Sequence, residues 1–569
     1  MSKAKLRGPH PPAPAKPLEP WLAGKRAARL VVLAAVVALA LLPFTGKAYH
    51  VDDPLFIWAG KHIATQPLDP YGFPVNWYGY TLPMSDVTKN PPLTSYYIAA
   101  AAGLAGFGER AMHLAFLLPA IVVILGTYLL AEKLCARPLL AALFTLTTPV
   151  FLASSTTVMS DTMMLAWWIL ATYLWVTGLE SDSWWRLAVA GLCIALSALS
   201  KYFGMTLIPL LLLYTILKRR RLDAAAAYLI LPALILLAYQ WGTHRLYGRG
   251  LLLDAASYAT DAPNQWGRMS PGKVLVGLAF TGGCIGVAWI VALWPVRPKP
   301  WIGAAAVAIA VTLGVGATHS IGSFVLGPHD GVLGLTATFM GLFTAGGLCL
   351  LGAAIAMMAK KADAETFLLG FWILGAFAFA TVINWSTNGR SILPMAPAAA
   401  ILLMRWIERG AKGQPPPSWR GLTACVAAAA VLSLSVAWAD MGLADSARRA
   451  ARDIHAKYGG KGGKLWFEGH WGFQYYMEAL GAKAIDPKTS QFVPGDFIVV
   501  PENNTNITPP PKAWTRLVET VEFPSSRGIA TMNYGAGLYS DAFGPLPYAF
   551  GPVPKERYTI YEVAAPAAK

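Results

Sequence analysis

RLVVLAAVVALALLPFTGKAYHVDDPLF (Arg29–Phe56) holds the two features from which the rest of the chain can be read. Its first part, 29–45, carries no charge after Arg29 and reads as a membrane anchor. Its second part places two adjacent carboxylates, Asp52 and Asp53, one proline ahead of an aromatic-rich segment at the expected membrane surface. Helix capping is the plain explanation, because Asp53 suits a cap and Pro54 suits a first helical turn. The alternative is a general base facing a substrate carried by the bilayer. The remainder of the sequence has to decide between them.

Composition supports the anchor. Of 569 residues, 55% are hydrophobic and 13% charged, against roughly 25% charged in soluble domains. The formal net charge of +16 does not indicate nucleic acid, because the basic residues gather at the ends of apolar runs, where they orient spans. Five cysteines (Cys135, Cys193, Cys284, Cys349 and Cys425) lie in or beside apolar runs without CxxC or CxxxH spacing, which argues against a disulfide framework or a zinc site. The first run lacks a small-residue cleavage site, so it reads as an uncleaved anchor.

Thirteen apolar runs follow one another, near 29–45, 111–131, 139–153, 161–179, 186–200, 203–218, 223–245, 272–294, 301–319, 331–358, 366–384, 391–407 and 421–439. Several are shorter than the ~20 residues of a perpendicular span. With the N-terminus inside, the cation-rich short loops EKLCAR (132–137), KRRR (218–221), RPK (297–299), KK (360–361) and RWIERGAKG (405–413) all fall inside, while ESDSWWR is mixed. Thirteen spans then place the C-terminus outside, with the loops at 46–110 and 246–271. Residues 1–27 read as a basic, Pro-rich, disordered cytoplasmic leader. Residues 28–440 read as the transmembrane domain, with 46–110 as its functional outer loop. After Asp440 the composition changes, and KLWF (464–467) and DFIVV (496–500) read as strands around a turn and short helix at 469–482. Residues 441–569 are therefore expected to be a small soluble α/β domain on the outer face. In this domain Glu468 and His470 read as parts of a structural turn.

Polar residues also stand in costly places. Asp161 in SSTTVMSDTMMLAWWIL, Lys201 in SALSKYFGM and Arg390 in NWSTNGRSILPMAP all lie at outer ends of runs, and Lys89 lies in the long outer loop. Each alone can be explained by capping or snorkelling. Together with Asp52 and Asp53 they fall on one side of the membrane under one topology. Cations that hold phosphate oxygens beside a carboxylate that accepts a proton make a site for displacing a phosphate leaving group.

The order DDP, NPPLTSYY, MSDTMMLAWWILATYLW, LSALSKYFGMTLIPLLLLY and RSILPMAPAAAILL resembles the polyprenyl-phosphate-dependent glycosyltransferases of the GT-C superfamily. Within it the chain is most similar to glycosyltransferase family 39, the protein O-mannosyltransferase-like proteins, and to the lipid A aminoarabinose transferases. The likeness spans roughly 28–410. The acidic pair here is Asp-Asp where that family often has Asp-Glu, and Asn90 stands where many relatives have His. The resemblance implies a GT-C-like polytopic helical fold and an inverting transfer of a monosaccharide from a polyprenyl-phosphate donor. The acceptor hydroxyl would belong to a protein, lipid or glycan. It implies that Asp52 or Asp53 is the base, that Asp161 lines the same cavity, and that Lys89, Arg390 and Lys201 hold the lipid phosphate. No metal or other cofactor is expected to be obligatory, because a monophosphate needs less charge compensation than a pyrophosphate. The expected location is the cell (inner or plasma) membrane, with the N-terminus cytoplasmic and the C-terminal domain extracytoplasmic. A transporter or flippase of lipid-linked sugars, or a polysaccharide polymerase, is the competing reading. The absence of two related halves with broken helices counts against the transporter.

Overall fold

The structure is a computed structural model that describes residues 26–261, 271–294, 298–321, 324–325, 333–360, 363–410 and 418–564. Most of the leader expected at 1–27, and parts of the loops at 246–271, 297–299, 360–361 and 405–413, lie outside the described residues.

All thirteen apolar runs are helical among the described residues. Among the described residues, ten helices are long and apolar enough to cross a membrane, or eleven if one bent pair counts as a single span. That is fewer than the thirteen spans expected, and the shortfall has local causes. The run at 139–153 breaks at Pro149 into Pro138–Leu146 and Pro149–Ser155, which meet at 62°. Proline removes the amide that would continue the ladder. Trp184–Ser200 has 17 residues and Met395–Arg409 only 15, about 26 and 22 Å of helix. The chain is a multi-pass helical membrane protein. Glu109–Leu134, Ser160–Glu180 and Trp184–Ser200 pack together at its centre and bury Trp168 and Trp175, whereas Trp301–Thr318 leaves most of its apolar surface exposed, as a lipid-facing helix does.

The ends of the central helices define two faces. At one, Arg405 donates to the Leu134 carbonyl (2.6 Å) and to Asp363 (2.6 Å), Lys218 pairs with Glu365, and Arg219 pairs with Asp182. These are the short basic loops that the sequence groups on one side. The other ends of the same helices, at Glu109 and Ser160–Asp161, meet the 46–110 segment and the C-terminal region.

The C-terminal region contains a five-stranded mixed sheet ordered Lys483–Ala484, Leu465–Phe467, Phe497–Pro501, Glu556–Val563 and Thr515–Phe523. The first three strands are parallel and the last two are antiparallel additions. Helix Trp471–Ala479 makes the crossover between parallel neighbours, and both expected strands and the expected short helix are present. The boundary expected at 440 falls inside a continuous helix, Trp419–Tyr458. This helix carries the chain out of the apolar bundle and buries Ala450, Ile454 and Tyr458 with Phe467, Val499 and Ile560 of the sheet. The sheet region packs onto the 46–110 segment. The Asn76 side chain donates to the Ile485 carbonyl (2.8 Å), Gln474 donates to the Asn76 carbonyl (2.7 Å), and Tyr49 N donates to Tyr476 OH (2.8 Å).

Candidate functional site

Helix Asp53–Ile63 starts at the acidic pair, and its first residues turn the two carboxylates to different places. Val51 adopts φ +48°, a left-handed conformation that a β-branched residue takes only under constraint. Asp53 supplies that constraint. Its side chain is fully buried and accepts the amides of His50 (2.9 Å) and Val158 (3.0 Å), tying the start of this helix to the turn before Ser160–Glu180. Burial pushes its carboxyl up to about 7, against the opposing charge of Lys47. Asp52 makes no capping bond. Its carboxylate accepts Arg390 at 2.7 Å and lies on the wall of a cavity of about 850 Å³. Of the pair that the sequence leaves open, Asp52 is the residue that reaches the cavity, and Asp53 is held in the fold by two backbone amides.

Arg390 sits in the short helix Gly389–Ile392, which the Asn388 side chain caps by accepting the Ser391 amide (2.9 Å). A loop from the far end of the chain is fastened to this turn. Gly389 N donates to the Leu538 carbonyl (2.7 Å), Asp541 N donates to the Thr387 carbonyl (2.8 Å), and the Ser386 and Ser540 hydroxyls share a bond of 2.7 Å. A Cβ at Gly389 would stand 2.8 Å from Leu538 Cδ1 and 3.2 Å from the Leu538 carbonyl oxygen, so the glycine lets the loop lie close against this turn. The loop delivers Tyr539, whose ring lies 5.8 Å from the Arg390 guanidinium.

A second cavity of about 310 Å³ adjoins the first, and the two share Lys89, Asn90, Tyr258, Trp385, Arg390 and Tyr539. Lys89 pairs with Asp254 (2.7 Å) and lies over the Tyr258 ring. Lys201 lines the smaller cavity and pairs with Asp161 (2.5 Å). The expectation that Asp161 lines the cavity itself is corrected. Its side chain is only 2% exposed and reaches the cavity through Lys201, because it lies in the first turn of a helix packed at the bundle centre. Apolar residues including Phe203, Leu252, Phe379 and Ile383 complete the smaller cavity. Among the described residues no group of three or more His, Cys, Asp or Glu side chains is placed to hold a metal ion.

Sequence reasoning missed the layer behind Tyr539. Lys47 and Asp440, 393 positions apart, form a fully buried ion pair of 2.6 Å. Asp440 also accepts Tyr539 OH (2.7 Å) and Thr531 (2.9 Å), while Lys47 reaches Thr156 (3.3 Å). The His50 ring packs edge-on to Tyr539 at 5.4 Å, and burial lowers this imidazole to about 4, so it stays neutral at physiological pH. Burial and the neighbouring Asp440 hold the Tyr539 phenol far above its ordinary range, leaving it a hydrogen-bond donor. Lys47 gives no sequence signal of this role, because a lysine just after a span reads as snorkelling.

Residues 89–241 match a family model described as dolichyl-phosphate-mannose-protein mannosyltransferase. The family resemblance read from the motifs is therefore met over this segment, which contains Lys89, Asp161 and Lys201, while Asp52, Asp53 and Arg390 fall outside it. Among solved structures, the chain is similar to ArnT from Cupriavidus metallidurans bound to undecaprenyl phosphate, at 14% identity and a TM-score of 0.43, over 84% of this chain and 94% of that one. The apo state of that protein gives a TM-score of 0.41 at the same identity and coverage. The arabinosyltransferase EmbB from Mycobacterium smegmatis gives 0.34 at 14% identity, over 93% of this chain and 49% of that one. Likenesses this loose fix neither substrate nor residue roles. No curated protein matches the chain in sequence.

Proposed function

We propose that the chain is a membrane glycosyltransferase that moves a monosaccharide from a polyprenyl-phosphate donor to an acceptor hydroxyl, with inversion, on the extracytoplasmic face. One observation carries the reading: two adjoining cavities share a wall bearing Lys89 and Arg390, with the Asp52 carboxylate on the larger and Lys201 on the smaller. The smaller, apolar-sided cavity suits the head of an isoprenoid phosphate, and the larger gives room for an acceptor.

In this mechanism the donor phosphate exchanges with the carboxylates that pair with the three cations. Lys89 leaves Asp254, Lys201 leaves Asp161, and Arg390 leaves Asp52 for phosphate oxygens, where planar guanidinium is well matched. The same exchange frees the Asp52 oxygens. An acceptor hydroxyl then attacks the anomeric carbon from the face opposite the phosphate, and its proton passes to Asp52. The anomeric carbon–oxygen bond to phosphate breaks, and the lipid phosphate leaves as an anion neutralised by the three cations. Tyr539, held by Asp440, keeps Arg390 and the shared wall in place. These side-chain cations supply the charge that a lipid monophosphate requires, so the proposed reaction has no obligatory metal.

The test is transfer itself. Purified protein in lipid is given a radiolabelled polyprenyl-phosphate sugar and a membrane extract. Label should move to an acceptor, and Asp52→Asn protein that remains folded should fail to move it. Passage of intact donor across the bilayer with no bond cleavage would replace this reading with a transporter.

A further inference from the structure

A third cavity, of about 540 Å³, lies between the turn of the Pro74–Asn76/Thr81–Pro83 hairpin and the C-terminal sheet. It adjoins the 850 Å³ cavity, and Tyr78 and Asn506 line both. From its lining we infer that it is an acceptor subsite for a neutral oligosaccharide whose terminal hydroxyl reaches the Asp52 cavity. The inference rests on the proposed glycosyl transfer for its role and on the cleft's own chemistry for its ligand.

Charge narrows the ligand first. The lining holds one carboxylate, Glu468, and no Lys or Arg, whereas the two adjoining cavities carry Lys89, Lys201 and Arg390. A phosphorylated or acidic ligand finds more countercharge there than in the cleft, beside which Lys488 lies over the Tyr80 ring at 5.2 Å. Several amide and carboxylate oxygens among the remaining polar groups can accept further donors. The Asn76 amide donates to the Ile485 carbonyl, which fixes its orientation and leaves Oδ1 buried without a partner. His470, held neutral by burial, donates from Nδ1 to Gln474 Oε1 (3.2 Å), because the Gln474 amide nitrogen is spent on the Asn76 carbonyl and Glu478. Its Nε2 then accepts from Asn506 Nδ2 (3.4 Å), which turns the Asn506 amide oxygen away from the imidazole. Glu468 uses Oε2 on the Thr508 amide and has a second oxygen to offer. Hydroxyl-rich ligands supply the donors that these oxygens lack.

The apolar part of the lining agrees. Tyr78, Tyr80 and Trp514 border the cleft, Tyr80 is 38% exposed, and Trp514 is stiffened by stacking on Phe492 at 5.3 Å. A sugar ring presents apolar C–H faces with hydroxyls at its rim, which suits rigid aromatic surfaces set among amide and carboxyl oxygens. A peptide added as a further strand is disfavoured. The edge strand Lys483–Ala484 is followed by Ile485, whose carbonyl is taken by Asn76, and Asp486 accepts the Thr81 amide (3.0 Å), so the hairpin covers that edge.

The full chain in lipid nanodiscs is incubated separately with mannotetraose, arabinotetraose, tetragalacturonate and a Ser/Thr-rich peptide, and amide hydrogen exchange is read by mass spectrometry. A neutral tetrasaccharide should protect amides in 76–80 and 505–514, and Tyr80→Ala or Trp514→Ala should raise its half-saturating concentration at least tenfold. Absence of protection by both neutral tetrasaccharides, or protection by the peptide or tetragalacturonate alone, overturns the inference. Transfer from labelled donor is scored in parallel. Protection at the cleft without any transfer leaves the oligosaccharide site standing and removes the proposed reaction. Transfer to peptide without protection by sugars does the reverse.

Discussion

Asn substitution separates the two adjacent aspartates, because the structure gives them different work. Asp53 is fully buried and accepts two backbone amides. In Asp53→Asn one amide keeps an acceptor, now neutral, and the other faces an NH₂ group and loses its partner. An orphaned buried amide costs about 1–3 kcal/mol, and because burial already disfavours the charged carboxylate no loss of a charge-assisted bond is added, so the expected loss is about 1–3 kcal/mol. Asp52 and Arg390 are 26% and 18% exposed, between a surface pair and a buried one, so Asp52→Asn, which keeps an acceptor oxygen for Arg390, should cost about 1–2 kcal/mol. The effects on transfer run the other way. Loss of a general base lowers turnover about 10²–10⁴-fold, so Asp52→Asn should be folded and nearly inactive. Asp53→Asn should unfold at a lower temperature and, per folded molecule, retain most of its activity. The assay pairs thermal unfolding in lipid with turnover of labelled donor at one temperature well below both midpoints. Wild-type turnover by Asp52→Asn, or an inactive Asp53→Asn with an unchanged unfolding midpoint, would refute the assignment.

Lys47→Met leaves Asp440 as an uncompensated buried charge and should destabilise by about 3–5 kcal/mol, while Lys47→Met/Asp440→Leu should recover part of that loss in the same unfolding assay. Asp53 also sets a pH dependence. Its folded carboxyl titrates near 7 against 3.8 unfolded, so stability is greatest below about pH 4, falls as pH rises towards 7, and is level above it. Unfolding measured across that range should show the decline in the wild type and a flatter profile in Asp53→Asn. Arg390→Lys keeps the charge but loses the planar fork, so it should weaken donor binding, read as a raised KM for donor in the transfer assay. Chelation with EDTA should leave transfer unchanged, and abolition restored by added divalent ion would show that the three cations do not suffice.

Much of the fold is legible because apolar runs and loop charge are local signals. Each of the thirteen runs is helical among the described residues, and the basic loops meet at one face through Arg405, Lys218 and Arg219. The number of full spans is less legible, because a run does not disclose a bend such as that at Pro149. The Asp52–Arg390 contact joins residues 338 positions apart, and shared sidedness is enough to suggest it. Composition cannot say which of two neighbouring aspartates faces the cavity, since that depends on the backbone turn at Val51 and on the distant Val158 amide. Asp440 and Tyr539 escape notice for a related reason. One looks like the end of a span and the other like a loop tyrosine, until the fold brings both to Lys47 and Arg390.

The most direct measurement is an experimental structure of the full chain with a polyprenyl phosphate bound. The account expects the phosphate in the smaller cavity, within hydrogen-bond distance of Arg390 and at least one of Lys89 and Lys201, with the Asp52–Arg390 pair opened. A phosphate bound at the Arg405–Asp363 face, or bound with that pair intact and all three cations untouched, would contradict it.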